Sequence, residues 1–378
     1  MKAGIYIHIP FCASRCIYCG FYSCTNLSMR KRYVSALLHE IELRGNELYK
    51  LCSQSKMCYV DTIYIGGGTP SVLLAEDIKR ILDMLRSTFD CMPREITIEM
   101  NPDDVTLDFV SSLKSMGVNR ISLGIQTFDD ERLRFIRRRH TASQARRAVE
   151  TVRNAGIHNV SIDLMFGFPG ETCEEWQYDI TQALDLNPSH ISAYCLMYEE
   201  GTPLYNMYKL GKFRQIDEDC YLNMYTILID RLKNGGYEHY EISNFAKPGC
   251  RSIHNSSYWH DVPYLGFGAS AHSYLYEKRS WNIDDINKYV NDIEHNILPS
   301  ECEIIDNDTH YNDLVTTALR TSEGLDLDSV APQYKAYALK CACGAIVRGL
   351  LEVVDNHLRL TEKGFFISDD IMSDLIKI

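Results

Sequence analysis

The chain has 378 residues, of which 45% are hydrophobic and 24% charged, which is the composition of an ordinary globular protein of about two domains. Lys and Arg number 39 and Asp and Glu 51, so the formal net charge of −12 argues against general nucleic-acid binding. No run of about eighteen apolar residues and no secretory signal is found, which argues against a membrane-spanning or exported protein. The 14 cysteines are therefore expected to be reduced thiols that bind metal, take part in catalysis or pack in the core.

Short β-rich runs recur six times in the first half of the chain, and longer stretches of helical period separate them. The predicted strands are Gly4–Ile9, Val60–Ile65, Glu95–Met100, Arg120–Ile125, Asn159–Met165 and His190–Leu196. The predicted helices are Arg30–Leu48, Ala75–Thr88, Leu107–Met116, Ser143–Ala155 and Glu174–Leu184. Strands that alternate with helices of this length indicate βαβ units on a parallel sheet. We predict an α/β fold with a partial (β/α)6 TIM-like barrel, and a doubly wound sheet is the alternative.

The alternation of strands and helices ends near residues 201–211. We then predict a helix, a strand, a polar loop, a β-hairpin and a capped last helix: Glu218–Asn234, Tyr237–Ile242, the loop to about Pro263, the hairpin of Leu350–Val354 and Leu358–Leu360, and a helix with Thr361 as its N-cap. Two or three helices from His310 onward precede the hairpin, an order typical of a winged helix. We therefore predict a barrel over residues 1–210, a connecting segment over 211–305 and a smaller, mostly helical, winged-helix-like domain over 306–378.

Three cysteines, Cys12, Cys16 and Cys19, lie close together directly after the first predicted strand. In barrel enzymes the active site is built from the loops that follow the strands. Three thiolates on one loop can bind one iron–sulfur cluster, and three ligands for four irons leave one iron open to a small molecule. Zinc is the alternative metal, but structural zinc normally takes four protein ligands, and no further CxxC or His pair lies nearby. Core packing of separate thiols is the remaining alternative.

Glycines and polar residues stand at the ends of the following strands. The turn Gly66-Gly67-Gly68-Thr69-Pro70 follows the second strand, and consecutive glycines let a ligand approach the backbone closely. Glu99 and Gln126 end the third and fourth strands, and Asp163 lies in the fifth. Each polar residue alone would be explained as a helix cap or a loop hydrogen bond. Together they indicate a site for a polar cofactor at one mouth of the barrel.

The CxxxCxxC spacing after the first strand, followed by the GGGTP turn, resembles the radical SAM superfamily. The opening segment IYIHIPFC at residues 5–12 is similar to the coproporphyrinogen dehydrogenase branch of that superfamily, the HemN and HemW proteins. The resemblance implies a 4Fe-4S cluster on Cys12, Cys16 and Cys19, with S-adenosylmethionine bound beside it.

The same resemblance implies which residues bind S-adenosylmethionine: Tyr6 and the backbone at Tyr18 beside it, Gly67, Gly68 and Thr69 with Glu99 and Arg138 at its methionine end, Gln126 and Asp163 at its ribose, and the segment around Met197 over its adenine. Arg137 and Arg139 flank Arg138. Two alternatives therefore remain at that position. One of the neighbouring arginines takes the place of Arg138, or all three arginines form a solvated basic run on a helix.

Two further features resemble the haem-chaperone group of this branch. Phe21 stands where HemN enzymes have a fourth cysteine, and the cysteine loop begins at residue 12 without their long N-terminal extension. The segment His254-Asn-Ser-Ser-Tyr258-Trp259 resembles the HNxxYW motif of that group. Histidine is a good ligand for haem iron, and Tyr258 and Trp259 offer flat faces to a porphyrin. The alternative is a surface loop whose aromatic residues anchor it to the barrel.

The resemblance thus implies a haem-binding protein that delivers haem to a respiratory or membrane-associated acceptor, and the acidic net charge argues against a nucleic-acid partner. We expect the protein in the cytoplasm. Peripheral attachment to a membrane and assembly into a homodimer are further alternatives. The alternative is an oxygen-independent coproporphyrinogen III oxidase, which decarboxylates propionates by radical chemistry, or another radical SAM enzyme. No catalytic residue is assigned. The remaining cysteines, Cys52 among them, are expected to be packing or incidental thiols.

Overall fold

The computed structural model describes residues 1–51 and 58–377, so Cys52 lies outside the described residues. The strands, β1 to β15 in chain order, are Lys2–Ile9, Tyr59–Gly67, Cys91–Met100, Arg120–Gln126, Asn159–Phe166, His190–Cys195, Glu238–Glu241, Asn244–Ala246, Tyr264–Phe267, His272–Tyr274, Lys278–Asn282, Ser300–Ile304, Leu325–Asp326, Leu351–Val354 and His357–Leu360. The helices, α1 to α15, are Arg30–Leu43, Glu47–Lys50, Ala75–Thr88, Leu107–Ser115, Asp130–Phe135, Ala142–Asn154, Cys173–Leu186, Pro203–Lys209, Glu218–Asn234, Ile253–Trp259, Ile286–Glu294, Asn307–Ala318, Pro332–Val347, Glu362–Phe365 and Ser368–Leu375.

The strands β1 to β6 form the parallel core of the fold. They are neighbours in chain order, and each pairs in parallel with the next. A doubly wound sheet would reverse its strand order at a switch point, so this order excludes that alternative. The predicted α/β barrel is confirmed.

The segment after the barrel extends the same sheet at both edges. Beyond β6 the sheet continues with β8 and β7, and beyond β1 it continues with β9 to β12. Only β9 among these additions is parallel to its barrel neighbour, β1, and the others pair antiparallel. Residues 238–304 therefore contribute to the sheet itself.

The two faces of the barrel strands carry different side chains. On β1 the alternating Ile5, Ile7 and Ile9 are fully buried and pack against the surrounding helices in the main core. The opposite face of the strands carries polar residues, such as Thr62 of β2, which is paired in register with Glu95 of β3. The barrel interior is thus lined by groups that can bind a polar molecule.

The C-terminal part has its own small hydrophobic core, around Tyr311, Val315 and Leu319. It contains the three-stranded sheet β13-β15-β14 and helices α12, α13 and α15. The predicted hairpin is present, and the Thr361 side chain accepts a hydrogen bond from the Gly364 N–H, as expected of an N-cap. Within the described ranges, no helix is long and apolar enough to cross a membrane.

The predicted loop before Pro263 is wrong in its middle. Residues Ile253–Trp259 form α10, and the N-cap side chain of Ser252 accepts a hydrogen bond from the Asn255 N–H. The HNxxYW segment is therefore helical, which places His254 and Tyr258 four residues apart on one helix face.

Candidate functional site

The cysteine loop leaves β1 at the mouth of the barrel. The Cys12 N–H donates to the Cys24 carbonyl at 3.0 Å, and the Cys24 N–H donates to the Pro10 carbonyl at 2.6 Å, so the loop is closed at its base. Cys12 is 8% exposed, and Cys16 and Cys19 are half-buried. Burial raises the pKa of the Cys12 and Cys19 thiols, and their proximity to Cys16 raises it further. The three sulfurs thus share one partly buried site.

Thiols are the donor type that binds an iron–sulfur cluster. Across residues 1–51 and 58–377, no three His, Cys, Asp or Glu side chains are arranged to hold one metal ion. Thiolates that each bind a different iron need not converge on one point. The Thr69 hydroxyl donates to Cys12 Sγ at 3.5 Å, and Arg138 Nη1 donates to Cys16 Sγ at 3.7 Å. A positive charge and a hydroxyl donor both favour the thiolate form that binds iron.

Arg138 is the arginine of the basic run that reaches the cysteine loop. Besides Cys16, its guanidinium donates to the carbonyl of Gly124. Arg137 and Arg139 are exposed, and Arg139 forms ion pairs at 2.8 Å with Asp103 and Asp104. The structure therefore places Arg138, and neither neighbour, at the predicted site.

The glycine turn packs so closely against the cysteine loop that side chains are excluded. Gly67 has a φ of 107°, and a Cβ atom there would lie 2.6 Å from the His8 ring. A Cβ on Gly68 would lie 2.8 Å from the Phe11 carbonyl oxygen, and the Gly68 N–H donates to the Ile9 carbonyl at 2.9 Å. The turn thus brings half-buried backbone and the buried Thr69 next to the cysteine loop.

Two carboxyl groups that interact electrostatically lie close to this turn. Glu99 accepts hydrogen bonds from the Tyr64 hydroxyl at 2.7 Å and from the Gly67 N–H at 3.1 Å. Asp163 accepts one from the Ser122 hydroxyl at 3.4 Å. Burial raises the pKa of Glu99 to about 7 and that of Asp163 to about 6, and repulsion by Asp163 adds to the shift at Glu99. These groups can bind the amine and hydroxyls of a polar ligand.

Gln126 and Tyr6 complete the inner wall of the mouth. Gln126 has a φ of 73° at a bulge between β4 and β5, a conformation that a non-glycine residue adopts at a cost and that is common at functional sites. Tyr6 stacks on Tyr64 with ring centroids 6.2 Å apart, and its hydroxyl lies 3.0 Å from His8 Nδ1.

The last two predicted S-adenosylmethionine residues lie at the outer side of the mouth. Tyr18 is half-buried between Arg138 and the cysteines and packs against the apolar group around Ile17 and Phe168. Met197 follows β6 and is 62% exposed. Of the predicted residues, Thr69, Arg138 and Tyr18 therefore lie beside the thiols, whereas Met197 is exposed to solvent.

The predicted haem ligand lies in the barrel interior. His254 is 1% exposed, and its ring stacks on Tyr64 with centroids 5.2 Å apart. Its Nδ1 is hydrogen-bonded to the Thr62 hydroxyl at 2.9 Å and its Nε2 to the Tyr258 hydroxyl at 2.8 Å. Burial lowers the pKa of His254 to about 3, so the ring is neutral. Both ring nitrogens are occupied, and iron ligation by His254 would require one of these bonds to break.

The aromatic residues of the motif differ in their surroundings. Tyr258 lines an external cleft, and its ring meets Tyr264 edge to face at 4.7 Å. Trp259 is half-buried beneath the Arg320 guanidinium, 5.5 Å from the ring centre, and its Nε1 is buried without a hydrogen-bond partner among the described residues. Tyr258 is therefore the one of these two residues that lines this cleft.

Two interior residues were missed from the sequence. The Arg120 side chain is 1% exposed, and its Nε and Nη1 have no hydrogen-bond partner in the described part of the chain. Its charge lowers the pKa of both Glu99 and Asp163. The available signal was a charged residue within a predicted strand of the barrel. Glu95, on the neighbouring strand β3, was also missed, although it is likewise a charged residue within a predicted strand.

The comparisons with known proteins agree with this architecture. A family model described as Radical SAM superfamily matches residues 6–182, so the barrel with its cysteine loop is a radical SAM domain, and this membership implies a 4Fe-4S cluster and S-adenosylmethionine. The solved coproporphyrinogen III oxidase (HemN) from Escherichia coli covers 100% of this chain and 90% of its own, with a TM-score of 0.84 and 24% identity. That likeness shows the fold.

The similarity to curated relatives is more specific. The heme chaperone HemW of Bacillus subtilis is 32% identical, with 98% of both chains covered. The HemW proteins of Lactococcus lactis and Mycobacterium tuberculosis are 33% and 31% identical and cover 98% and 99% of this chain and 96% and 94% of their own. The chain therefore belongs to the HemW family.

Proposed function

We propose that this protein is a haem chaperone that binds a 4Fe-4S cluster, S-adenosylmethionine and haem and delivers haem to acceptor proteins. The observation that carries the proposal is similarity to proteins named heme chaperone HemW along 98% of the chain, including the HNxxYW helix. The exposed Phe21, directly after the cysteine loop, supports it, because that position offers no fourth thiol.

In this proposal Cys12, Cys16 and Cys19 hold the cluster and leave one iron for S-adenosylmethionine. When bound, the cluster supplies one-electron chemistry. The Arg138 guanidinium offsets thiolate charge beside Cys16, and the carboxyl group of Glu99 takes the amine of the methionine end. The remaining residues proposed for this ligand are Tyr6, Tyr18, Gly67, Gly68 and Thr69, with Gln126 and Asp163 at the ribose and Met197 over the adenine.

The proposed haem residues are Tyr258 and Trp259, with His254 as the ligand of the iron. Geometry limits the role of His254, because iron ligation would expose a buried ring and break a hydrogen bond to Thr62 or Tyr258. The proposed acceptors are respiratory or membrane-associated proteins, and the proposed location is cytoplasmic with peripheral membrane attachment. Nucleic acid is not proposed as a partner, given the net charge of −12. A homodimer is proposed as one state of assembly.

The test is titration of the purified protein with ferric haem, followed by visible absorption. A saturable shift of the Soret band at one haem per chain is expected. Transfer is then measured by mixing the loaded protein with an apo-cytochrome and following the spectrum of the acceptor. A wild-type protein that binds no haem would contradict the proposal.

The second candidate function is oxygen-independent coproporphyrinogen III oxidation, favoured by the fold shared with HemN along the whole chain. The anaerobically reconstituted protein is incubated with coproporphyrinogen III, S-adenosylmethionine and reductant, and the porphyrins are separated by chromatography. We expect no decarboxylated product, and its formation would make the protein an oxidase.

A further inference from the structure

Helices α7 and α9 lie side by side and run in the same direction. The Trp176 Nε1–H donates to the Met224 carbonyl at 3.0 Å, and further along both helices the Arg231 guanidinium donates to the Thr181 hydroxyl at 3.0 Å. The two contacts advance together along the two helices, so α7 and α9 are parallel and their first turns are neighbours. The helix that follows the barrel in sequence is thus held against a helix of the barrel itself.

Each of these first turns carries a cysteine. Cys173 is the first residue of α7, and Cys220 is the third residue of α9. The two cysteines stand one helical turn before Trp176 and Met224, on the same helix faces as these hydrogen-bonded residues. Both thiols are free and half-buried, and they are in hydrogen-bonding contact with each other. A disulfide forms most readily between cysteines whose sulfurs can meet without movement of the backbone.

A buried aromatic ring holds the two helix starts together. The Phe166 ring stacks on Trp176 of α7 and on Tyr221 of α9, with centroids 5.1 Å and 5.7 Å apart. Phe166 and Trp176 are both buried, so separation of the helix starts would expose apolar surface to water. The thiols of Cys173 and Cys220 are therefore kept close, which favours a bond between them over a bond to a distant cysteine.

A cleft of about 500 Å³ gives solvent access to this pair. Cys220 lines the cleft together with Glu171, Ile216 and Asp217. Burial and the neighbouring Cys173 raise the pKa of Cys220, and Asp217 and Glu171 raise it further. Cys220 is therefore a protonated thiol at neutral pH, and a bond to Cys173 requires an oxidant. A small oxidant can reach Cys220 through the cleft.

We infer that Cys173 and Cys220 form a redox modification site, which hydrogen peroxide converts into a disulfide. One thiol attacks a peroxide oxygen and becomes a sulfenic acid while water leaves, and the second thiol then displaces a second water from the sulfenic sulfur. The two thiols lose two electrons and two protons in total, and the peroxide is reduced to two waters. The inference is independent of the proposed haem function, because neither cysteine belongs to the sites proposed for the cluster, S-adenosylmethionine or haem.

The disulfide would join the barrel to the segment that packs beside the cysteine loop. Phe213, shortly before α9, meets Phe135 edge to face at 5.8 Å and lies 5.9 Å from Tyr198. These three rings belong to the apolar group that also contains Ile17 of the cysteine loop. A covalent bond at the start of α9 therefore restricts movement of this segment away from the loop.

The experiment treats the anaerobically reconstituted full-length protein with hydrogen peroxide, blocks the remaining thiols by alkylation and maps the cysteines by mass spectrometry. The disulfide of Cys173 with Cys220 is expected to be at least about tenfold more abundant than any disulfide of the exposed Cys302. The oxidised protein is expected to unfold about 5 °C above the reduced protein. Dithiothreitol is expected to reverse both changes.

Three variants separate this disulfide from other effects of peroxide. Cys173→Ser and Cys220→Ser are expected to lose the rise in unfolding temperature, and Cys302→Ser, the matched control, is expected to keep it. Any effect of peroxide on the cysteine loop is common to all of these proteins. The peptide map of the wild type tests the inference without any variant. If Cys173 and Cys220 are alkylated as free thiols while Cys302 is oxidised, the pair is not a redox site. An equal rise in unfolding temperature in Cys220→Ser would show that the disulfide does not join α7 to α9.

Discussion

Glu99 and Asp163 are two carboxyl groups inside one barrel, and both have raised pKa values because of burial. The buried Arg120 lowers both values and has no ion pair of its own within the described ranges. A ligand that carries an ammonium group would replace the lost hydration and stabilise the ionised carboxylates. The pair of carboxyl groups in the barrel therefore favours binding of a cationic ligand.

The raised pKa of Glu99 predicts a pH-dependent stability of the ligand-free protein. Its pKa is about 7 in the folded chain and 4.5 ordinarily, so the folded state binds the proton more tightly. The stabilising contribution of the protonated group is complete below about 4.5 and is lost as the pH rises through about 7. Relative to wild type, Glu99→Gln is therefore expected to gain stability between about pH 5 and pH 8.

Urea unfolding at several pH values measures this difference. Glu150→Gln, on an exposed position of α6, is the control and should follow the wild-type curve. Parallel stability curves for Glu99→Gln and wild type would show that the carboxyl group titrates near its ordinary pKa.

His254 is expected to be structurally important whatever its role toward haem. Its replacement by Ala leaves the hydroxyls of Thr62 and Tyr258 without this partner and opens a cavity beside Tyr64. The expected loss of unfolding free energy is about 2 to 4 kcal/mol. Urea unfolding at neutral pH measures it, and His295→Ala should change stability by less than about 0.5 kcal/mol. A loss below about 1 kcal/mol for His254→Ala would mean that the two hydrogen bonds contribute little.

At the scale of elements, α10 depends on a distant carboxylate. Glu95 of β3 accepts the N–H of Ile253 at 2.9 Å and that of His254 at 3.0 Å, and it is 2% exposed. An acidic group at a helix N-terminus satisfies free N–H groups and interacts favourably with the helix dipole. Glu95→Ala is therefore expected to cost about 1 to 2 kcal/mol.

Thermal unfolding of Glu95→Ala measures this cost, with Glu95→Gln as the variant that keeps an acceptor oxygen. Glu95→Gln is expected to lie between Glu95→Ala and wild type. Equal stability of Glu95→Ala and wild type would show that the cap is dispensable and that tertiary packing alone holds α10.

The elements that local periodicity specifies were predicted well from the sequence. The fourth strand, predicted as Arg120–Ile125, is Arg120–Gln126, and the helix predicted as Ala75–Thr88 has those bounds. The helix α10 was missed because its seven residues are too few to show a helical period, and the carboxylate of Glu95 that contacts its N-terminus lies more than 150 residues away in sequence. The helix predicted as Arg30–Leu48 ends at Leu43, where a turn separates it from α2. Long-range contacts and short breaks leave no periodic signal.

For the whole molecule, motif spacing predicted the mouth of the barrel, because strand ends of a parallel sheet meet at one edge. It could not predict that β9 adds to β1, since that pairing joins residues 4–7 with 264–267. Nor could it show that His254 faces inward, which follows from the placement of α10 against β2. The division of the chain at residues 210 and 305 stays a prediction, although the C-terminal residues form a hydrophobic cluster of their own.

The cysteine loop follows β1, whereas the HNxxYW segment lies on α10, so the two proposed sites share no residue. We therefore predict that iron–sulfur and haem binding are separable. A Cys12→Ala, Cys16→Ala, Cys19→Ala variant is expected to lose iron and sulfide after anaerobic reconstitution, because each thiolate ligand is removed. The same variant should bind ferric haem within about twofold of the wild-type affinity. Iron analysis and haem titration on one preparation measure both, with Cys343→Ala, an exposed thiol on α13, as the control. Loss of haem binding together with iron would show instead that haem depends on the cluster loop, through direct contact or through a conformation that only the cluster stabilises.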